Sequence, residues 1–157
     1  MQPLSDVLRP DHIALGISAR NLPEGLSVLI NQLTIPGVIH PSQGKLLEAA
    51  LLERENMGAT CIGRGVVIPH AYHKNFVAPL VAFGRLQEPI AYDAPDGKPV
   101  DLVFILAGPE TAQPNHLPFL AQLVRLLHHN DVLNGLRNAT NAQAVLQTLR
   151  DAEQRHA

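Results

Sequence analysis

The sequence has no tryptophan, one cysteine and an aromatic share of 4%. A single cysteine excludes an internal disulfide, which suits a reducing compartment. With so few aromatics a core must be built from aliphatic side chains, and 46% hydrophobic residues in a chain of 157 are enough to build one. Charge of one sign is missing too: 12 Lys and Arg stand against 14 Asp and Glu, a formal charge of −2. No nucleic acid is therefore expected as a partner, because binding a phosphate backbone needs grouped cations. No apolar run approaches the roughly 18 residues that a membrane-spanning helix needs. The start Met1-Gln2-Pro3-Leu4-Ser5-Asp6 has no basic residue followed by an apolar stretch, so neither a leader nor membrane insertion is read. The expectation is a cytoplasmic protein whose residues 1–157 form one domain, without repeats, linkers or low-complexity tails.

What is present is an alternation of strand and helix patterns. Ile13, Leu15 and Ile17 repeat every second residue, as a strand does. Asn21 can cap a helix with Pro23 and Glu24 in its first turn, and Leu22, Leu26, Leu29, Ile30 and Leu33 share one helical face before Pro36-Gly37. A second helix is predicted from about Pro41-Ser42 to Glu55, with Leu46, Leu47, Ala50 and Leu51 buried. Val77 to Gly84 reads as a strand with an irregular start at Pro79, and Ala94-Pro95-Asp96-Gly97 as a turn. Val100 to Leu106 is the most strand-like run and is expected at the centre of the sheet. Asn115 is read as the cap of a third helix, with Pro118 tolerated in its first turn. A short helix near Val132 to Leu136 and one over about 141–152, capped by Thr140, complete the pattern. The fold class is α/β: a single layered domain with a mixed, largely parallel sheet flanked by helices.

The stretch from Arg54 to His70 carries the chemistry. It ends a helix, passes Gly58, Gly63 and Gly65, runs through Val66-Val67-Ile68 and delivers a histidine directly after Pro69. Glycines permit positive φ, the proline fixes its own φ, and the apolar run is predicted as a buried strand with His70 at its exit. Arg54 falls in the last turn of its helix, where a cation is favoured by the dipole whatever else it does.

These residues, Arg54-Glu55, Gly58-Ala59-Thr60 and Ile62-Gly63-x-Gly65-Val66-x-Ile68-Pro69-His70, resemble the signature of the type-2 EIIA domains of the bacterial phosphotransferase system, the fructose/mannitol and nitrogen-regulatory family. The resemblance spans essentially the whole chain. It implies that His70 accepts a phosphoryl group from an HPr-like phosphocarrier, that Arg54 matches the active-site arginine, and that His116 is the second site histidine. The onward partner would be an EIIB or permease component, or a transporter or kinase regulated by phosphorylation state. With no fused membrane or EIIB-like segment read, the nitrogen-regulatory type is favoured. Two positions depart from the usual pattern: Cys61 stands where glycine is commoner, and Arg64 where a small polar or acidic residue is commoner.

Phosphate on an imidazole makes demands of its own. The attacking nitrogen must be unprotonated, so an acceptor should hold the other one. The transferring group spreads charge over its oxygens, which Arg54 is suited to meet in bidentate fashion. His116, placed at a helix start, can hydrogen-bond a phosphoryl oxygen or the imidazole pair. Thr60 is read as stabilising its turn, and Arg64 as a rim residue facing a partner or solvent.

Two other readings stay open. One is a non-catalytic interaction domain of the same fold, kept in play by Cys61 and Arg64. The other is a metal-dependent hydrolase using His70, His73 and Cys61; there is no second cysteine and no HExxH, so neither metal nor cofactor is expected. Of the remaining histidines, His128-His129 are read as favourable charges at a helix C-terminus, and His12, His40 and His156 carry no signal.

Overall fold

From Leu102 to Gly108 every residue is buried, and a strand apolar on both faces must be covered on both. The computed structural model, which describes residues 3–156, meets that demand; Met1 and Gln2 of the N-terminal stretch, and Ala157, lie outside the described residues. In chain order it comprises α1 (Leu4–Val7), β1 (Ile13–Ile17), α2 (Leu22–Thr34), α3 (Pro41–Met57), β2 (Cys61–Gly63), β3 (Val66–Val67), β4 (His70–Tyr72), β5 (Leu80–Ile90), β6 (Val100–Gly108), α4 (Gln113–Leu126), α5 (Asn130–Asn138) and α6 (Ala142–Arg155). Single 3-10 turns occupy Pro10–His12 and Glu110–Ala112.

The strands form one mixed sheet in the order β1-β5-β6-β3-β2, with β4 also beside β6. β1 runs parallel to β5, and β3 and β4 run parallel to β6, while β5/β6 and β2/β3 are antiparallel. The expected fold class is therefore the observed one. Alternation along the strands sorts the core into two layers. Val66, Ile68, Leu102, Phe104 and Leu106 pack with α1, α4, α5 and α6, whereas Val67, Ala71, Val103, Ile105 and Ala107 pack with α2 and α3.

Several boundaries differ from the sequence reading. The strand expected over Val77 to Gly84 begins at Leu80 and continues to Ile90, because pairing with β6 resumes at Ile90↔Val100 past an irregularity after Arg85. Arg85 does not end the strand, since its guanidinium is taken up by the carbonyls of Leu136 and Ala139 at 2.8 and 2.7 Å. Asn115 is not a cap. The 3-10 turn Glu110–Ala112 runs directly into α4, so no capping side chain is needed, and Pro118 lies inside the helix rather than in its first turn. At α6 the cap is Asn141, which accepts from the Ala144 amide at 2.8 Å, and not Thr140. Asn21 caps α2 as expected, accepting from the Glu24 amide at 2.9 Å.

Gly63, Arg64 and Gly65 take φ of +86°, +57° and +82° in succession, a left-handed turn between β2 and β3. At Gly65 an added Cβ would lie 2.5 Å from Arg137 Nη2, 2.7 Å from Asp101 Oδ1 and 3.2 Å from the Pro99 carbonyl. Gly16 also has positive φ, +73°, yet its Cβ would meet nothing within 4 Å. Gly65→Ala is expected to lower the unfolding free energy by about 3 kcal/mol, from strain and overpacking together, and Gly16→Ala by about 1 kcal/mol from strain alone. Urea denaturation of the two variants checks the difference.

Candidate active site

The path from Arg54 to His70 is held by a chain of backbone and side-chain bonds. Arg54, in the last turn of α3, donates from Nη1 to the Gly58 carbonyl at 2.8 Å. Gly58 itself is extended, with φ 164°, so of the three glycines of this stretch Gly63 and Gly65 take the positive φ. Glu55 gathers the loop: its carboxylate accepts from the Thr60 amide at 3.2 Å, from the Thr60 hydroxyl and from the Tyr92 hydroxyl. Burial, followed by the Glu55 carboxylate, pushes the Tyr92 hydroxyl well up, so it remains a donor. Thr60 is buried, and its carbonyl accepts from the Ile68 amide at 3.1 Å. Thr60 thus stabilises the turn, as its sequence context implied.

Pro69 then interrupts the edge of the sheet. It has no N–H to give, but its carbonyl accepts from the Leu106 amide at 3.1 Å. The strand predicted through Ile68 stops at Val67, and His70 is the first residue of β4, paired with Leu106, rather than the exit of the preceding strand. Its Nδ1 lies 2.8 Å from the Ile68 carbonyl oxygen. A carbonyl can only accept, so Nδ1 carries the hydrogen and Nε2 is left with an in-plane lone pair. That is the acceptor for the second nitrogen which phosphoryl chemistry requires, and it comes from the backbone.

Alternation puts His70 and Tyr72 on the face of the sheet covered by α4. There Tyr72 Oη lies 2.7 Å from His116 Nδ1, with the rings edge to face at 5.5 Å between centroids. His116 is the fourth residue of α4 and only 6% exposed. Burial lowers its pKa and raises that of Tyr72 to about 12, so both are neutral near pH 7. His116 also borders a cavity of about 410 Å³ with Val7, His12, Pro79, Val81 and Asn115.

Among the described residues no hydrogen bond joins any two of Arg54, His70 and His116. The Arg54 loop reaches His70 through Thr60 and Ile68, and His116 reaches the same strand through Tyr72. Arg64, expected on the rim, is exposed but anchored: it donates to the His128 carbonyl and to Asn130 Oδ1, its amide to Asp96 at 2.7 Å, and its carbonyl accepts from Arg137. Asp96 also accepts from the Lys98 amide at 3.1 Å, and the two donors, Arg64 first, hold its carboxyl below its usual range. Burial pushes the Cys61 thiol up, away from a metal-binding thiolate. His73 Nδ1 accepts from the Asn75 amide at 3.0 Å. Sequence reasoning quoted Glu55 only as part of the signature, without a role, and missed Tyr72 and Tyr92. Tyr72 had a signal, since it is two residues from His70 along a strand; Tyr92, from a separate loop, had none.

A family model described as the phosphoenolpyruvate-dependent sugar phosphotransferase system, EIIA 2, matches residues 6–152. The chain belongs to this family. A nitrogen regulatory protein of Bradyrhizobium diazoefficiens is 33% identical over 147 residues, covering 94% of each chain. The EIIA chain also superposes on the crystal structure of nitrogen regulatory protein IIA-Ntr from Neisseria meningitidis with a TM-score of 0.81 and 31% identity, over 93% of this chain and 98% of that one. An Escherichia coli mannitol enzyme IIA, solved in complex with phosphorylated mannitol enzyme IIB, shares the fold at a TM-score of 0.73 and 21% identity, over 92% and 99% of the two chains. Family membership places the EIIA chain in phosphoryl relay and regulation within the phosphotransferase system. No helix among the described residues is long and apolar enough to cross a membrane.

The depressed pKa of His116 has a consequence for stability. Between the lowered folded value and the ordinary unfolded value of about 6.5 the unfolded chain binds more protons, so stability rises with pH. The contribution of His116 is complete above about pH 6.5 and is lost as pH falls through the folded pKa. Melting temperatures measured from pH 7.5 downward should fall less steeply in His116→Gln than in the parent.

Proposed function

We propose that His70 Nε2 takes a phosphoryl group from an HPr-like phosphocarrier and that the whole chain, 1–157, works as one cytoplasmic EIIA domain. The observation that carries this reading is the bond from His70 Nδ1 to the Ile68 carbonyl, which leaves Nε2 as the nucleophile. In transfer, the N–P bond of the donor's phosphohistidine breaks as the new bond to Nε2 forms; the donor nitrogen keeps the electron pair, and His70 keeps its Nδ1 hydrogen throughout. Arg54 leaves the Gly58 carbonyl and meets the phosphoryl oxygens. Tyr72, kept protonated, donates to His116 Nδ1, so that His116 presents Nε2–H as a neutral donor to the site.

Onward transfer goes to an EIIB or permease component, or the phosphorylation state regulates a transporter or kinase. The regulatory branch is favoured by likeness to proteins named nitrogen regulatory protein, which extends over 94% of this chain. The two departures from the usual signature give no support to a non-catalytic reading, because Arg64 is spent on His128 and Asn130 and the Cys61 thiol is kept neutral.

Incubation with phosphoenolpyruvate and the general phosphotransferase components should add one phosphate by intact-protein mass spectrometry, labile to acid and stable to base. His70→Ala should abolish it. Arg54→Ala should slow it by about 100-fold and Tyr72→Phe by about 10-fold, since each leaves the nucleophile in place. No phosphate in the parent protein would leave the interaction-domain reading, and a phosphate that survives in His70→Ala would contradict His70 as the acceptor.

A further inference from the structure

Away from the His70 site, the corner between α4 and α5 meets the end of α6. His129 follows α4, Asp131 lies in the first turn of α5 and His156 closes α6. The two imidazoles stack with centroids 3.5 Å apart and planes 8° from parallel. His156 Nε2 lies 3.3 Å from Asp131 Oδ2, and one donor atom from each of the three residues falls within 4.8 Å of the others. We propose that His129, Asp131 and His156 form a binding site for a borderline divalent cation of the zinc type.

Two imidazole nitrogens and one carboxylate oxygen are the donor set that zinc, cobalt and nickel accept, with water in the remaining position. Metal–ligand distances of about 2.0 to 2.2 Å set tetrahedral donor–donor edges of about 3.4 Å. Separations of up to 4.8 Å therefore close by side-chain rotation alone, which suits residues that are partly or fully exposed. The rings must tilt out of their stack, because each lone pair lies in the plane of its own ring. Without a cation, the Asp131 carboxylate is balanced by Arg155, whose Nη1 lies 3.1 Å from the same Oδ2. The cation takes the guanidinium's place there, so Arg155 is a competitor and not a ligand. Occupancy ties the last turn of α6 to the α4–α5 corner and shares no residue with the phosphoryl site. Sequence spacing gave no hint of it, because two ligands are near neighbours and the third lies at the far end of the last helix.

Zinc chloride titrated calorimetrically into the untagged full chain should show one equivalent bound with micromolar affinity. At about 100-fold excess over Kd the melting temperature should rise by about 8 °C. His156→Ala and Asp131→Asn should each weaken binding at least about 30-fold, as loss of a ligand from a set of three demands. Arg155→Gln should tighten binding several-fold, and His70→Ala should leave it unchanged. Cobalt should give the visible absorption of a low-symmetry site. No binding by the parent protein, binding equally strong in His156→Ala and Asp131→Asn, or weakened binding in Arg155→Gln would each overturn the proposal; the exposed Arg155 and Asp131 changes keep the test valid should His156→Ala fold poorly.

Discussion

The phosphoryl-transfer reading depends on one hydrogen bond, from His70 Nδ1 to the carbonyl of Ile68 two residues earlier. A free imidazole exchanges its hydrogen between two nitrogens, and a nucleophile that spends part of its time in the wrong tautomer is slow and ambiguous. Here the backbone removes the ambiguity. The geometry is available because the sheet edge is interrupted: Pro69 cannot donate, the Ile68 amide turns back to Thr60, and the Ile68 carbonyl is free to face the imidazole. Central strand β6 supplies the fixed frame, since its Leu106 pairs with both Pro69 and His70.

The surroundings are built from neutral groups held in place, with charge kept at the margin. His116 and Tyr72 are both uncharged near neutral pH because burial penalises their ionised forms. The permanent cation, Arg54, sits in the last turn of α3, beside a loop shaped by Glu55, whose carboxylate is occupied by Thr60 and Tyr92. A carboxylate so engaged holds the loop and is not free to pair with the arginine. The Arg54 guanidinium itself donates to a backbone carbonyl, that of Gly58. Exchange of a neutral carbonyl for a phosphoryl group is favourable for a guanidinium.

Much of this was legible in the sequence, for reasons that differ by residue. The apolar run of β6 and the leucine spacing of α2 reflect burial, which periodicity reports directly. The Asn21 cap was legible because a local side chain satisfies a local amide. The α4 start was not, since a preceding 3-10 turn replaced the cap that Asn115 had suggested. Of the residues proposed for phosphoryl transfer, Arg54, His70 and His116 were marked by the family resemblance. The acceptor for Nδ1 was invisible because it is a backbone carbonyl, a group every residue carries. Tyr92 was invisible because only the tertiary fold brings its loop to Glu55. Arg64 is exposed in a left-handed turn, as its glycine neighbours suggested, but they gave no sign that its side chain is drawn across to the α4–α5 corner.

The most direct measurement is a long-range proton–nitrogen NMR correlation of the His70 ring, recorded before and after phosphorylation. Before, Nδ1 should show the shift of a protonated pyrrole-type nitrogen and Nε2 that of an unprotonated pyridine-type one. After, the phosphorus coupling should appear at Nε2, with Nδ1 still protonated. A ring protonated at Nε2 when neutral, or phosphorus bonded to Nδ1, would contradict the claim that the Ile68 carbonyl chooses the nucleophile.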